Sequence, residues 1–214
     1  AIILAASCMA DNAFVAQHGQ GSSSFALKLI LFPLLIRGLG IFASMVGIWG
    51  VRVKDEDMID PMKPIKRGYL WSSLFSVVGF FFINWVFLKD PGTGAVDWRF
   101  AISTTIGIVL AVVILFITNH FTHPSKRPAS ETAMSSKTGP ATVILTGIAS
   151  GLESSVWTVL ILGVTILSSF WIFPESMALS AYGISLVGLG LLTTTGYILA
   201  MDTYGPITDN AHGI

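Results

Sequence analysis

The sequence predicts an all-α fold, a polytopic transmembrane helix bundle, and composition, hydropathy and the spacing of apolar blocks each point to it. Of 214 residues, 53% are hydrophobic and 11% charged, whereas soluble domains carry about 25% charged residues. Mean hydropathy is +0.75. The apolar residues gather in blocks of roughly twenty, the length that crosses a bilayer core. A water-soluble chain of this composition would lack the polar groups to cover its surface.

The blocks predict complete spans over about 25–51, 69–88, 100–118, 141–170 and 177–201, within a single membrane domain over 1–214. At about 1.5 Å per residue each is long enough to cross. Residues 1–18 read as the outer end of an earlier, partial helix. Trp171 and Pro174 mark an interface and a turn after the fourth complete span, and the polar stretch 202–214 follows the last. Ala1 in place of a start methionine, and the stop directly after a polar motif, suggest an interior piece of a longer protein.

Loop charges orient the spans. Arg52, Lys54, Lys63, Lys66 and Arg67 follow the first complete span, and Lys126, Arg127 and Lys137 follow the third; the opposite loops hold Lys89 and Arg99. This positive-inside bias places the loops 52–68 and 119–139 and the segment 202–214 in the cytoplasm. The first of these loops also carries Asp55, Glu56, Asp57 and Asp60, a self-neutralising, solvated mixture. Net charge is zero, so nothing points to nucleic acid. Cys8 is the single cysteine and reads as a small core residue.

Small residues supply close packing. Gly147, Gly151 and Ser155 form a stripe on the fourth span, and Gly183, Gly188, Gly190 and Gly196 smooth the fifth. Among polar groups within the membrane, Glu153 sits about twelve residues into its span beside Ser154 and Ser155. A carboxylate at mid-bilayer costs about 2.5–3.5 kcal/mol, so it must face protein or water. Either an ion path or a structural, hydrogen-bonded glutamate at a helix or subunit contact satisfies that demand. Arg37 lies mid-span and calls for a carboxylate partner. Lys28 is close enough to an end to snorkel, and Asn84 reads as interfacial. His120 and His123 would meet as metal ligands only on a helix; Pro124 argues against one, leaving interfacial polar residues. His18 carries no readable role.

The segment Asp202-Thr-Tyr-Gly-Pro-Ile-Thr-Asp-Asn-Ala-His-Gly-Ile gathers oxygen ligands at the cytoplasmic mouth. Asp202 and Asp209 share a face of a continuous helix, although Pro206 is expected to kink or break it. With Asn210 they suit Mg²⁺, a hard cation that usually arrives with phosphate oxygens. A hydrophilic helix end capped by Asp and Asn accounts for the same residues. There is no G-x-x-x-x-G-K-[ST] loop and no arguable Ser-His-Asp arrangement, and no catalytic residue is assigned.

That C-terminal segment resembles the D-x-[YF]-G-P-[IV]-x-D-N-A-x-G-I motif of membrane-bound, ion-translocating inorganic pyrophosphatases. Asp60-Pro-Met-Lys-Pro-Ile-Lys-Arg-Gly-Tyr before the second span and Thr138-Gly-Pro-Ala-Thr before the fourth are similar to family segments, in the same order. The resemblance implies an interior fragment, running from the end of the family's sixth helix through its eleventh. It also implies Mg²⁺-dependent hydrolysis of pyrophosphate, coupled to outward movement of H⁺ or Na⁺, at a site facing the cytoplasm. Asp209 would be a metal and pyrophosphate carboxylate with Asn210 beside it, and Asp202 a supporting acid at the same mouth. His212 stands where many members have glycine. The remaining acids, lysines and ion gate would lie elsewhere, leaving the fragment inactive alone and K⁺ dependence unread. Homodimers are the family's habit, which makes Glu153 a packing or dimer-contact residue, and Arg37 is a candidate for the same membrane-embedded structural or dimer-contact role.

Two other function classes compete. A secondary transporter without hydrolytic activity would use Glu153, Arg37 and Asp202 as ligands, and a structural membrane subunit would use none of them. A bacterial inner membrane and an acidic organelle membrane both suit the sequence.

Overall fold

The computed structural model describes residues 1–8, 11, 15, 22–52, 62–89 and 94–213. His18, Lys54, the acids Asp55, Glu56, Asp57 and Asp60, and most of residues 9–21 lie outside the described residues. The helices are α1 (Ile2–Ser7), α2 (Ser22–Gly50), α3 (Met62–Phe87), α4 (Arg99–Thr122), α5 (Arg127–Ser135), α6 (Pro140–Ile172), α7 (Met177–Leu191) and α8 (Thr195–His212). A 3₁₀ turn, Ser136–Thr138, follows α5, and Lys89 and Val96 form an isolated antiparallel bridge. Five helical stretches are long and apolar enough to cross a membrane, the last running through α7 and α8. The fold is an all-α, multi-pass membrane bundle.

The chain divides into two units, residues 1–108 with 169–214 and residues 109–168. In the first, the buried rings of Phe25, Phe100, Phe173 and Tyr182 cluster around Phe100, with centroids 6.2, 5.4 and 5.9 Å from it. Lipid tails are as apolar as these rings, so dispersion and close fit, not release of water, hold them together. Arg99 stacks over Phe173 at 5.0 Å, bonds the Asp97 carboxylate at 2.7 Å and pairs with Glu175. Lys28 reaches the Lys89 carbonyl at 2.7 Å, and Ser176 bonds Asp11. Asn84, expected at the interface, is fully buried and donates to the Asp97 carbonyl at 2.9 Å.

Backbone contact between α4 and α7 depends on two glycines. A Cβ on Gly107 would collide with the Val187 carbonyl, and one on Gly190 with the Thr104 carbonyl. Only residues without a side chain allow that approach. Between α2 and α7 the key is a proline. Pro33 lies inside α2 and has no N–H for the carbonyl four residues back. That carbonyl belongs to Leu29, and it accepts the Tyr182 hydroxyl at 2.7 Å.

Three boundaries follow from local chemistry. Pro174 disfavours helix at the residue before it, so α6 stops at Ile172; Ser176 then caps α7, its hydroxyl accepting the Leu179 N–H at 3.1 Å. Gly139, at φ +128°, separates the 3₁₀ turn from Pro140, the first residue of α6. The third is a departure from the sequence reading. The fifth predicted span is not one helix: residues 192–194 form a turn between α7 and α8. Thr193 bonds the Leu189 carbonyl through its hydroxyl, and Thr195 the Leu192 carbonyl, at 2.8 and 2.6 Å. Such local bonds compete with the helical ladder.

In the second unit the segment read as a polar loop is largely helical. The α4 helix continues to Thr122, and α5 is a surface helix with an exposed Arg127–Glu131 pair one turn apart, at 2.6 Å. His120 therefore lies in the last turn of α4, while the His123 Nδ1 accepts the Ser125 N–H at 3.2 Å. The α6 helix, 33 residues, is roughly 50 Å long at 1.5 Å per residue and exceeds a bilayer core of about 30 Å. A Cβ at Gly151 would meet nothing within 4 Å, and one at Gly147 would lie 3.8 Å from the Thr132 side chain, an ordinary contact.

Candidate functional site

The candidate site is built on α8, and its position begins with packing against α2 and α3. Tyr197, in the first turn of α8, lies 5.9 Å from the Tyr69 ring and donates its hydroxyl to the Ile65 carbonyl at 2.6 Å. A Cβ on Gly47 would stand 2.8 Å from the Tyr197 ring, and one on Gly68 2.5 Å from its hydroxyl. Glycine at both positions admits the ring between α2 and α3. Thr194 donates to the Tyr69 hydroxyl at 3.2 Å, just before α8 begins.

From this anchor α8 runs without interruption to His212, through Pro206. The break expected at Pro206 is not there. Proline still removes one backbone bond, the N–H that would have reached the Asp202 carbonyl. Asp202 thus carries a carboxylate and a carbonyl outside the helical ladder. Asp202, Asp209 and Asn210 are all exposed. Seven residues separate the two acids, nearly two whole turns, so they share a face about 10 Å apart along the axis. Mg²⁺ binds oxygen at about 2.0–2.1 Å; two carboxylates at that separation cannot ligate one ion. The donor chemistry fits hard cations, with Asp209 and Asn210 as neighbours and Asp202 at a second position. No third acid, imidazole or thiol joins them in a metal-sized group among the described residues.

Arg37 finds a different partner from the carboxylate the sequence suggested. Its Nη1 donates to the Leu192 carbonyl at 2.7 Å, at the turn before α8. Glu153 lies on α6 in the other unit and is exposed, as are Leu152, Val156 and Leu160 around it. Ser154 and Ser155 both bond the Gly151 carbonyl at 2.9 Å and are turned to their own helix. Glu153 belongs to the second unit, whereas Arg37 and Asp202 belong to the first. Sequence reasoning missed Tyr69 and Tyr197. The only signal was the run Thr193-Thr194-Thr195-Gly196, poor helix formers in an otherwise apolar stretch.

Comparison with known proteins agrees in one direction. A family model described as inorganic H⁺ pyrophosphatase matches residues 1–214. The K(+)-insensitive pyrophosphate-energized proton pump of Chloroflexus aurantiacus is 39% identical over 199 residues, covering 91% of this chain and 26% of the pump. Proton pump 2 of Moorella thermoacetica, also named K(+)-insensitive and pyrophosphate-energized, is 40% identical over 89% of this chain and 28% of its own length. A putative K(+)-stimulated pyrophosphate-energized sodium pump of Bacteroides thetaiotaomicron is 33% identical over 99% of this chain and 28% of its own. The chain thus spans about a quarter of the length of the curated relatives it matches. With the family match running from first residue to last, this chain belongs to the inorganic H⁺ pyrophosphatase family.

Proposed function

We propose that the chain is part of a primary ion pump that hydrolyses inorganic pyrophosphate and moves H⁺ or Na⁺ outward across a membrane. The observation that carries this is the exposed oxygen face of α8, Asp202, Asp209 and Asn210, on a helix anchored at its start by Tyr197. The relatives bearing this region are named as pyrophosphate-energized proton or sodium pumps. Asp209 and Asn210 hold one Mg²⁺–pyrophosphate contact, and Asp202 supports a second ion or its waters at the same mouth. Mg²⁺ supplies charge neutralisation of the polyanion and orientation of the attacking water. The residues of α8 hold and align; other segments of the longer protein provide the remaining walls, so this chain alone is inactive.

By the positive-inside bias, residues 202–214 face the cytoplasm. Glu153 and its exposed flank on α6 are assigned to contact with a second copy in a homodimer. A transporter without hydrolysis is less well supported, because Arg37, one of its three ligands, is committed to a backbone carbonyl.

The test is pyrophosphate hydrolysis, with and without Mg²⁺, in sealed vesicles containing the full-length protein and its Asp209→Ala variant. Mg²⁺-dependent phosphate release with vesicle acidification or Na⁺ uptake, abolished in the variant, is the expected result. Varying K⁺ in the same assay reads its cation requirement. A folded, inserted protein that releases no phosphate would overturn the proposal.

A further inference from the structure

The turn that precedes the site helix is held from two directions. Arg37 of α2 donates to the Leu192 carbonyl at 2.7 Å. Gly40, less than one turn along the same helix, approaches so closely that a Cβ would stand 2.6 Å from the Thr193 carbonyl oxygen. From α3, Tyr69 accepts the Thr194 hydroxyl at 3.2 Å, and the Ile65 carbonyl accepts the Tyr197 hydroxyl at 2.6 Å. Leu192 is a concentrated acceptor: its carbonyl also takes the Thr195 hydroxyl at 2.6 Å and the Thr195 N–H at 3.3 Å. A guanidinium answers that negative end with a charge-assisted bond, stronger than a neutral one.

A turn between two helices would otherwise leave the second free to swing. Asp209 lies fourteen residues beyond Thr195, where α8 begins, roughly 21 Å along the axis, so a swing of about 5° displaces its carboxylate by about 2 Å. A misplacement of about 1 Å at a reacting constellation can cost about a hundredfold in rate. We infer that Arg37 is a positioning residue: by clasping the Leu192 carbonyl it sets the direction in which α8 carries Asp209 to metal and substrate. The inference rests on the pump reading for its kinetic consequence, although the clasp itself does not. Arg37 acts at a distance and touches neither pyrophosphate nor Mg²⁺.

The experiment uses the full-length protein in sealed vesicles, with Arg37→Gln, Arg37→Lys and Gly40→Ala. Arg37→Gln raises the KM for pyrophosphate and the Mg²⁺ needed for half-maximal hydrolysis by about tenfold each, the scale of an outer-shell orientation defect. Lysine keeps the positive charge that makes the bond charge-assisted, which the neutral glutamine amide lacks, so Arg37→Lys recovers most of that loss. Gly40→Ala drives a methyl group onto the Thr193 carbonyl and moves both parameters the same way with Arg37 intact. A purely structural Arg37 would lower the amount of folded protein while leaving KM and Mg²⁺ requirement per folded molecule unchanged. That outcome would overturn the inference.

A second readout needs no activity. Spin labels at Phe82→Cys and Ile207→Cys, exposed on α3 and α8, report the swing of α8 by double electron–electron resonance. Arg37→Gln is expected to shift or broaden that distance by about 2 Å. Should Arg37→Gln not insert, Gly40→Ala carries both readouts. If the unsubstituted protein hydrolyses no pyrophosphate, the pump reading fails while the distance still decides the clasp. An unmoved distance distribution overturns the clasp whatever the activity.

Discussion

The Tyr182 hydroxyl of α7 donates to the Leu29 carbonyl of α2 at 2.7 Å, the acceptor that Pro33 leaves without its intrahelical N–H. Both tyrosine and carbonyl are buried, with Tyr182 0% exposed, so neither finds water when the bond is lost. Tyr182→Phe is therefore expected to destabilise the full-length protein by about 1 kcal/mol. In a Pro33→Ala background the helix satisfies Leu29 by itself, and the same substitution costs less. Reversible unfolding in mixed micelles measures the coupling; equal costs in both backgrounds would show that the proline and the tyrosine act independently.

Gly190 and Gly107 make a second prediction of larger size. Each admits the backbone of the facing helix where a Cβ would strike a carbonyl oxygen. Separating α4 from α7 also loosens the ring cluster around Phe100. Gly190→Ala is expected to cost about 1–3 kcal/mol, the usual penalty of overpacking, and Gly190→Leu to prevent stable folding. Gly188→Ala, where a Cβ meets nothing within 4 Å, is the matched comparison two residues away. Thermal unfolding followed by size-exclusion chromatography separates the three.

Hydropathy makes the apolar runs of α2, α3, α4 and α6 readable, because a helix in lipid must satisfy its backbone internally and its side chains must be apolar. It does not register the turn at 192–194, since leucine and threonine there keep the mean hydropathy high while the threonine hydroxyls capture carbonyls. For the same reason the backbone acceptor of Arg37 is not legible in the sequence. With no break in view, an intramembrane cation asks for a carboxylate; the break supplies a backbone oxygen instead. The polar segment between α4 and α6 reads as loop from its polar composition, although Arg127 and Glu131 are spaced as helical partners. The oxygen ligands of α8 could be picked from their motif. The tyrosines that anchor the helix could not, because Tyr69 and Tyr197 are 128 residues apart in the chain and adjacent only after folding.

Charge bias gives a topological prediction. Glu131 on α5 and Ala95 in the turn before α4 belong to loops that the cation distribution assigns to opposite sides. A Glu131→Cys thiol in the full-length protein should react with an impermeant maleimide only from the cytoplasmic side, and an Ala95→Cys thiol only from the other. Labelling of both from one side would contradict the proposed orientation and, with it, the placement of residues 202–214 at the cytoplasmic mouth.

The two acids of α8 should differ in their effects. An unbroken helix sets Asp202 and Asp209 about 10 Å apart along one face, too far for a shared ion. Asp209, with Asn210 beside it, holds metal and substrate directly in the proposed site; Asp202 acts through a second ion or its waters. Asp209→Asn is then expected to lower Mg²⁺-dependent hydrolysis by more than about a hundredfold at any Mg²⁺ concentration, and Asp202→Asn by about ten- to hundredfold, partly recovered by added Mg²⁺. Rescue follows from the physics of an outer contact: weakened binding of an ion can be offset by its concentration, whereas a missing direct ligand misplaces the substrate even at saturation. Titrating Mg²⁺ against both variants decides the matter. Equal loss in both, with equal rescue, would mean that the two acids serve one ion, and that α8 bends at Pro206 in the working enzyme.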